Sequence, residues 1–334
     1  MEGVSSILES APIGAYLPAE TRWDLPAGVL RTWTYPARTS PRVRLVAVHG
    51  FRGDHHGLDL VARALPDDVE TVVPDLPGFG RSPAFPARAH DVAGYAEILG
   101  QLLEALPQDG LPLAVLGHSY GSVVAAALAA QHPDAVAALA LLNPICEPAL
   151  ASAQRLPALG AALFYRVCAV LPEALGDRLV RSAAITRISS ELMMKTRDAH
   201  LRRFINGQHA AYFGAFASRR VVIQAYADSI RATVGDWSGQ VTVRTLLVAA
   251  ERDDLGSVAG QRRLRETFPP QAQARLEVLP EVGHLIHYET PRRAARVVGD
   301  FLAEALPETG AAPAASSSRP AAGPARSDGN GGAA

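Results

Sequence analysis

Short, almost wholly apolar runs recur along the first half of the chain, each bounded by Gly, Pro or polar residues. Val43–Val48 is apolar apart from Arg44, and Glu70–Pro74, Leu113–Leu116 and Val136–Leu142 follow the same pattern. Runs of this length and character read as strands buried on both faces. Between them, Val92–Leu106 sets Tyr95, Ile98, Leu99, Leu102, Leu103 and Leu106 on one side of a helix. Ser122–Gln131 is an Ala-rich helical stretch stopped by Pro133. Upstream, Thr21–Pro36 reads as two edge strands around a Pro26-Ala27-Gly28 turn. Strand-like sequence returns at Val243–Ala249 and Arg275–Leu279. A last helix spans Pro291–Leu306, with proline where helix N-termini favour it.

The alternation breaks between residues 146 and 238, where no convincing strand occurs. Leu163, Val167, Val170 and Leu171 recur there at helical spacing. Continuous apolar strands alternating with helices indicate an α/β fold: a mostly parallel sheet with helices on both faces. The expected organisation is a core of residues 20–145 and 239–306, a helical insertion at 146–238, and a tail at 307–334. That tail is Pro, Gly, Ala and Ser without a period, a composition expected to stay disordered.

Composition narrows the function classes. Thirty-two basic against 33 acidic residues give a net charge of −1, so no electrostatic footprint for nucleic acid exists. Two cysteines, Cys146 and Cys168, make no disulfide framework. The first eighteen residues lack a basic start and a long apolar run, and no stretch is long and apolar enough to span a bilayer. A cytoplasmic location is expected. Nothing points to the oligomeric state.

Four local patterns carry chemistry. Gly117-His118-Ser119-Tyr120-Gly121 follows one apolar strand and opens a helix, the context of a G-x-S-x-G nucleophile elbow. Small residues two before and two after the serine let strand and helix close around it. His49-Gly50-Phe51 ends the strand Val43–Val48, where Gly50 permits close backbone approach and His49 reads as structural. Glu251-Arg252-Asp253-Asp254 follows Val243–Ala249 and offers a carboxylate to hold a histidine tautomer. Gly283-His284 follows the strand Arg275–Leu279, with His287 three residues on as a rival. The order serine, acid, histidine matches neither the chymotrypsin nor the subtilisin arrangement.

These blocks, together with Asp75-Leu-Pro-Gly-Phe-Gly-Arg-Ser82, resemble the signature blocks of capped α/β-hydrolases of the esterase and lipase branch, over about residues 20–306. The resemblance implies Ser119 as nucleophile, His284 as general base and Asp253 as acid, with Phe51 and Tyr120 N–H groups as the oxyanion hole. Asp254 stands where that pattern usually has proline, and some relatives carry the acid after the sixth strand, where this chain has Asn143 and, further out, Glu147. Ser119 excludes the branches that use aspartate at the elbow. The resemblance places residues 146–238 as a helical cap. Phe164, Tyr165, Met194, Tyr212 and Phe216 are candidate pocket residues there, with Met193, Phe204 and Phe213 foremost. No metal or other cofactor is implied, and the adjacent pair His55-His56 is a weak metal signal. The expected substrate is a small-to-medium hydrophobic ester, cleaved through an acyl-enzyme. Hydrolysis of a C–C bond beside a carbonyl, other acyl transfer, and ligand binding with little turnover are the alternatives.

Overall fold

The computed structural model describes residues 17–149 and 155–307. The expected disordered tail, apart from Pro307, lies outside these described residues. Eight strands form a single sheet: β1 (Ala19–Leu25), β2 (Gly28–Tyr35), β3 (Val43–Val48), β4 (Val69–Asp75), β5 (Leu113–His118), β6 (Ala138–Leu142), β7 (Arg244–Ala250) and β8 (Arg275–Leu279). Their order across the sheet is β1-β2-β4-β3-β5-β6-β7-β8. The edge pair β1–β2 and the β2–β4 contact are antiparallel, and every other contact is parallel.

Alternate residues of each inner strand enter two separate cores, as the period of two requires. Val46, Val48, Val115 and Leu141 face α2 (Val92–Ala105) and α3 (Tyr120–Gln131). Leu45, Ala47, Leu116 and Leu142 face α1 (Asp59–Ala64) and a C-terminal helix, Pro291–Ala305. Every residue of β3 is buried. Arg44, the one charge in that strand, is accommodated by Glu70 on the neighbouring strand and by Asp109 at 2.7 Å. A buried cation is tolerated where it is paired in this way.

Between β6 and β7 the described residues form α4 (Arg155–Val170), α5 (Glu173–Val180), α6 (Ala183–Met193), α7 (Ala199–Tyr212), α8 (Arg219–Ser229) and the short α9 (Gly235–Ser238). They make up the inserted helical region that the sequence pattern anticipates. After β7 come α10 (Val258–Glu266), the four-residue α11 (Ile286–Glu289) and α12 (Pro291–Ala305). The insertion is tied down by the Asp75–Ser82 loop. Gly80 N–H donates to Ala215 O at 2.7 Å, Ala217 N–H donates to Gly78 O at 2.8 Å, and Phe79 pairs with Phe216. The buried Asp75 carboxylate shapes that loop by accepting from the His55 and Arg81 backbone N–H groups, both at 2.7 Å. Gly80 is required there: its φ is +53°, and a Cβ would stand 2.0 Å from Asp75 Oδ2.

Candidate active site

Ser119 occupies the turn between β5 and α3 with φ 54° and ψ −125°, a conformation that costs a non-glycine residue energy and marks functional turns. The two flanking glycines explain how the turn closes. A Cβ on Gly117 would lie 2.3 Å from Gly121 O, and one on Gly121 would lie 2.4 Å from Val48 O and His49 O. Strand and helix backbones therefore meet where side chains cannot fit. Ser119 itself is buried apart from a small residual exposure.

His284 reaches the serine from the loop after β8. Its Nε2 lies 2.8 Å from Ser119 Oγ, and its Nδ1 lies 2.9 and 3.0 Å from the two Asp253 carboxylate oxygens. An ionised carboxylate only accepts, so Nδ1 carries the proton and Nε2 is the acceptor for the serine hydroxyl. All three side chains are buried. Asp253 also accepts from Leu255 N–H at 2.8 Å, which fixes its rotamer. The neighbouring Asp254 points elsewhere and pairs with Lys195. Glu147 pairs with Arg263.

The loop after β3 runs directly beside the serine, since a Cβ on Gly50 would lie 3.2 Å from Ser119 Cβ. Phe51 N–H finds no backbone acceptor among the described residues. Tyr120 is the first residue of α3, so its N–H has no intrahelical partner. Two such donors beside the Ser119 hydroxyl make an arrangement suited to an oxyanion. His49 holds the loop in place rather than moving protons. Its Nε2 accepts from Leu76 N–H at 3.0 Å and its Nδ1 donates to Gly50 O at 2.9 Å, while burial pushes its pKa down.

The positioning roles of Asn143, Glu289 and His118 are not marked by any local spacing in the sequence. Asn143, at the end of β6 and wholly buried, donates from Nδ2 to Gly283 O and His284 O at 3.1 and 3.0 Å. Its Oδ1 accepts from Ala250 N–H at 2.7 Å, so one amide joins the ends of β6 and β7 to the histidine loop. Glu289 accepts from Gly283 N–H at 2.9 Å and from Lys195 N–H at 2.6 Å, linking the same loop to the inserted helices. His118 donates from Nε2 to His284 O at 3.3 Å. Burial and the nearby His284 push the His118 pKa down to about 3, so it stays neutral. His287, the rival histidine, is buried against His118 with ring centroids 4.2 Å apart, and burial drives its pKa well down. It supports the loop.

The inserted helices meet the site through Phe51, whose ring lies 6.3 Å from Tyr165 of α4 and 5.8 Å from Tyr226 of α8. Arg52 is buried, with φ 61°, and donates to Val180 O at 3.2 Å and Phe213 O at 3.1 Å. Those carbonyls sit at the C-terminal ends of α5 and α7, where helix dipoles favour a cation. Tyr120 Oη donates to Asp228 of α8 at 2.6 Å. The three foremost pocket candidates are linked through Tyr288, whose ring lies 6.1 Å from Phe204 and 5.7 Å from His209, the ring on which Phe213 stacks. Met193 and Phe204 pack on a small apolar cluster with Leu285 and Tyr288 beside the histidine loop. Phe213 stacks on His209 at 3.9 Å.

Asp54, His55 and His56 bring potential metal-ligand atoms within 4.8 Å of one another. Their Nδ1 atoms already bond carboxylates, His55 to Asp75 at 2.9 Å and His56 to Asp54 at 3.1 Å. The rings stack between Trp33 and Tyr212, which is ordinary packing. Cys146 faces α10, since a Cβ on Gly260 would lie 2.8 Å from its sulfur. Burial pushes that thiol up to about 12.

Comparison with known proteins agrees with this architecture. Monoacylglycerol lipase ABHD6 of Mus musculus is 20% identical over 278 residues, covering 81% of this chain and 79% of its own. Lipase LipV of Mycobacterium tuberculosis is 39% identical over 101 residues, 30% of this chain and 37% of its own. A thermophilic esterase from Thermogutta terrifontis superposes with a TM-score of 0.66 at 21% identity, over 86% of this chain and 99% of the esterase, a likeness of fold. Residues 43–291 match the profile of the alpha/beta hydrolase fold, and the chain belongs to that family.

Proposed function

We propose that the protein is a serine hydrolase that cleaves a small-to-medium hydrophobic carboxylic ester through an acyl-enzyme. The observation that carries this reading is the unbroken hydrogen-bond chain Asp253–His284–Ser119. In this reading Ser119 Oγ attacks the ester carbonyl while His284 Nε2 takes its proton. The Phe51 and Tyr120 N–H groups hold the oxyanion, and His284 returns the proton to the departing alcohol. A water then gives its proton to His284 and attacks the acyl carbon, and as the second tetrahedral intermediate collapses His284 returns that proton to Ser119 Oγ, freeing the acid and the serine. Asp253 holds the tautomer and stabilises the imidazolium without itself taking the proton. The esterase and lipase character of the relatives supports an apolar acyl group. Met193, Phe204 and Phe213 are proposed to shape its pocket, because their helices border the histidine loop and the Arg52 anchor.

The test is active-site labelling by a fluorophosphonate, combined with a p-nitrophenyl ester panel of rising acyl length and a vinylogous diketone. Wild type is expected to label at Ser119 and to prefer one range of esters. Ser119→Ala is expected to lose both labelling and turnover while staying folded. Full activity in that variant would refute the assignment, and cleavage of the diketone in preference to every ester would replace ester hydrolysis by C–C bond hydrolysis.

A further inference from the structure

Nine large hydrophobic side chains are exposed among the described residues, and eight of them lie between 156 and 192. Five sit on α4: Leu156, Leu159, Leu163, Val167 and Val170, with Leu156 79%, Leu163 63% and Val170 83% exposed. At about 100° per residue these five fall within a stripe about 80° wide along the helix. The opposite side of α4 is the packed one, where Ala158, Tyr165 and Cys168 are buried. A solvated helix normally turns charged residues outward. The only charges on α4 are Arg155 and Arg166, and both fall on one edge of the stripe.

The charge around the stripe is one-sided. Residues 155–192 contain Arg155, Arg166, Arg178, Arg181 and Arg187 against Glu173, Asp177 and Glu191. Asp177 and Glu191 are already paired, with Arg219 and Arg202 from outside this stretch. None of the five arginines makes an ion pair among the described residues. Arg181 is engaged within the insertion, donating to Gly214 O and Phe216 O at 2.7 Å, so the cations shown beside the stripe are Arg155 and Arg166. An aliphatic stripe edged by such arginines is the pattern of a helix lying in a bilayer interface, with arginine stems along the apolar surface and guanidinium groups at the headgroups.

We propose that the exposed face of α4 docks on an anionic lipid bilayer, seating Leu156, Leu159, Leu163, Val167 and Val170 among the acyl chains and Arg155 and Arg166 against anionic headgroups. Docking in this pose sets the site next to the lipid. Tyr165, on the packed side of the same helix, lies 6.3 Å from the Phe51 ring that borders Ser119. The inference concerns binding alone and stands whatever bond the site cleaves.

The test is co-sedimentation of the full chain with phosphatidylcholine vesicles, with and without phosphatidylglycerol. Binding is expected on the vesicles that contain phosphatidylglycerol, weakening as salt is raised. The double variant Leu159→Asp/Leu163→Asp is expected to bind about 100-fold more weakly or worse. Arg155→Gln/Arg166→Gln is expected to lose about 30-fold, on the anionic vesicles only. Both variants change exposed residues, so melting temperature and turnover of a soluble ester are expected to match wild type and report folding separately. Absence of wild-type binding to either vesicle, or equal binding by the aspartate variant, overturns the proposal. So does light scattering that finds a wild-type dimer which the aspartate variant makes monomeric, since a second copy would then cover the stripe.

Discussion

The sheet and the inserted helices bury their apolar residues in contrasting ways. In β3 and β6 every residue is buried, and alternate side chains enter the two cores on either side. In α4 only Ala158, Tyr165 and Cys168 are buried, while five large aliphatic side chains stand in solvent. A central strand has two covered faces, so an apolar run leaves no choice about where its side chains go. A helix laid one layer deep over a site has one covered face, and its outer face can be given to something else. The contrast carries to function. Ser119, His284, Asp253 and their supports come from loops at the ends of strands and are held by buried hydrogen bonds, whereas the inserted helices cover one side of that site and present an outer surface. Substitutions at the strand ends are expected to act on rate and stability, and those in the insertion on selectivity and docking.

The largest expected effect is at Asp253. Asp253→Asn keeps the shape of the side chain but can hold the imidazole in the wrong tautomer, a loss of about 10⁴-fold in the serine-protease template. That corresponds to about 5.5 kcal/mol of barrier. Asp254→Asn is expected to stay within about two-fold of wild type, because Asp254 is exposed and among the described residues pairs with Lys195, a surface ion pair of small worth. Glu147→Gln is expected to behave like Asp254→Asn. Steady-state rates of the three variants decide the question, and a crippled Asp254 or Glu147 variant beside an active Asp253→Asn would reassign the acid.

Asn143 comes next. Alanine there removes two donors to the histidine loop and the acceptor for Ala250 N–H in a fully buried place. His284 O keeps its bond from His118, so Gly283 O and the Ala250 N–H are the groups left unpaired, at about 1–3 kcal/mol each, and a loss of about 3 kcal/mol of stability is expected. The φ of 44° adds to the cost, since asparagine tolerates that region better than alanine. Turnover is expected to fall about 100-fold as His284 loses its anchor. Denaturant unfolding and kcat are the measurements, and a variant with both near wild type would show that His118 and Glu289 suffice to hold the loop.

These two residues also mark the limit of what the sequence reveals. The elbow is legible because its requirements are local: an apolar strand, two small residues at fixed offsets and a helix. The eight strands are legible for the same reason, though α1 and α10 are not, being a six-residue turn and a highly charged stretch with few apolar positions. Asp253 and Asp254 cannot be separated locally, since both follow β7 and only the backbone turn from Ala250 to Asp253 chooses which one faces His284. Asn143, Glu289 and Arg52 act through hydrogen bonds to residues far away in the chain, and no period or spacing encodes such contacts. The exposed stripe on α4 is visible as helical spacing at Leu163, Val167 and Val170, but the pattern alone reads as a buried face. Only the packing of Tyr165 and Cys168 shows that the buried side is the other one.

A smaller effect separates the two regions by pH. His209 of α7 is buried against Phe213 and bonds Ser190 Oγ at 2.8 Å. Burial, with help from Arg52, lowers its pKa from 6.5 to about 4. Below about 6.5 the unfolded chain takes up a proton that the folded chain refuses until about 4. Its share of stability is therefore complete above 6.5 and is lost as pH falls through that window. Between pH 7 and 5 this share is about 2 kcal/mol at 1.36 kcal/mol per unit. His209→Gln is expected to lose correspondingly less stability over the same interval, read by urea unfolding at each pH. Parallel losses in the two proteins would place the acid sensitivity at His118 or His287 in the core rather than in the insertion.

The smallest effect, and the one that most directly tests the insertion as a selectivity element, concerns Phe213. Its carbonyl accepts from Arg52, so Phe213→Ala keeps the link between the Phe51 loop and α7 while removing only the ring. The labelling rate of Ser119 by a small fluorophosphonate should therefore change less than about two-fold, because Ser119, His284 and the Phe51 and Tyr120 N–H groups are undisturbed. A ring that borders the acyl pocket contributes through apolar contact. Differences of one or a few methylene groups in such a pocket change specificity about ten-fold to 200-fold. The optimum acyl length on the p-nitrophenyl panel should move toward longer chains as the lost ring leaves space. Met193→Ala and Phe204→Ala provide the contrast: both pack on the cluster around Leu285 and Tyr288. If they shape the same pocket, they shift the optimum too. If they are packing residues alone, they lower the melting temperature and leave the optimum in place. A uniform loss across all chain lengths in Phe213→Ala, with slowed labelling, would mean that the ring holds the oxyanion loop and does not line the pocket.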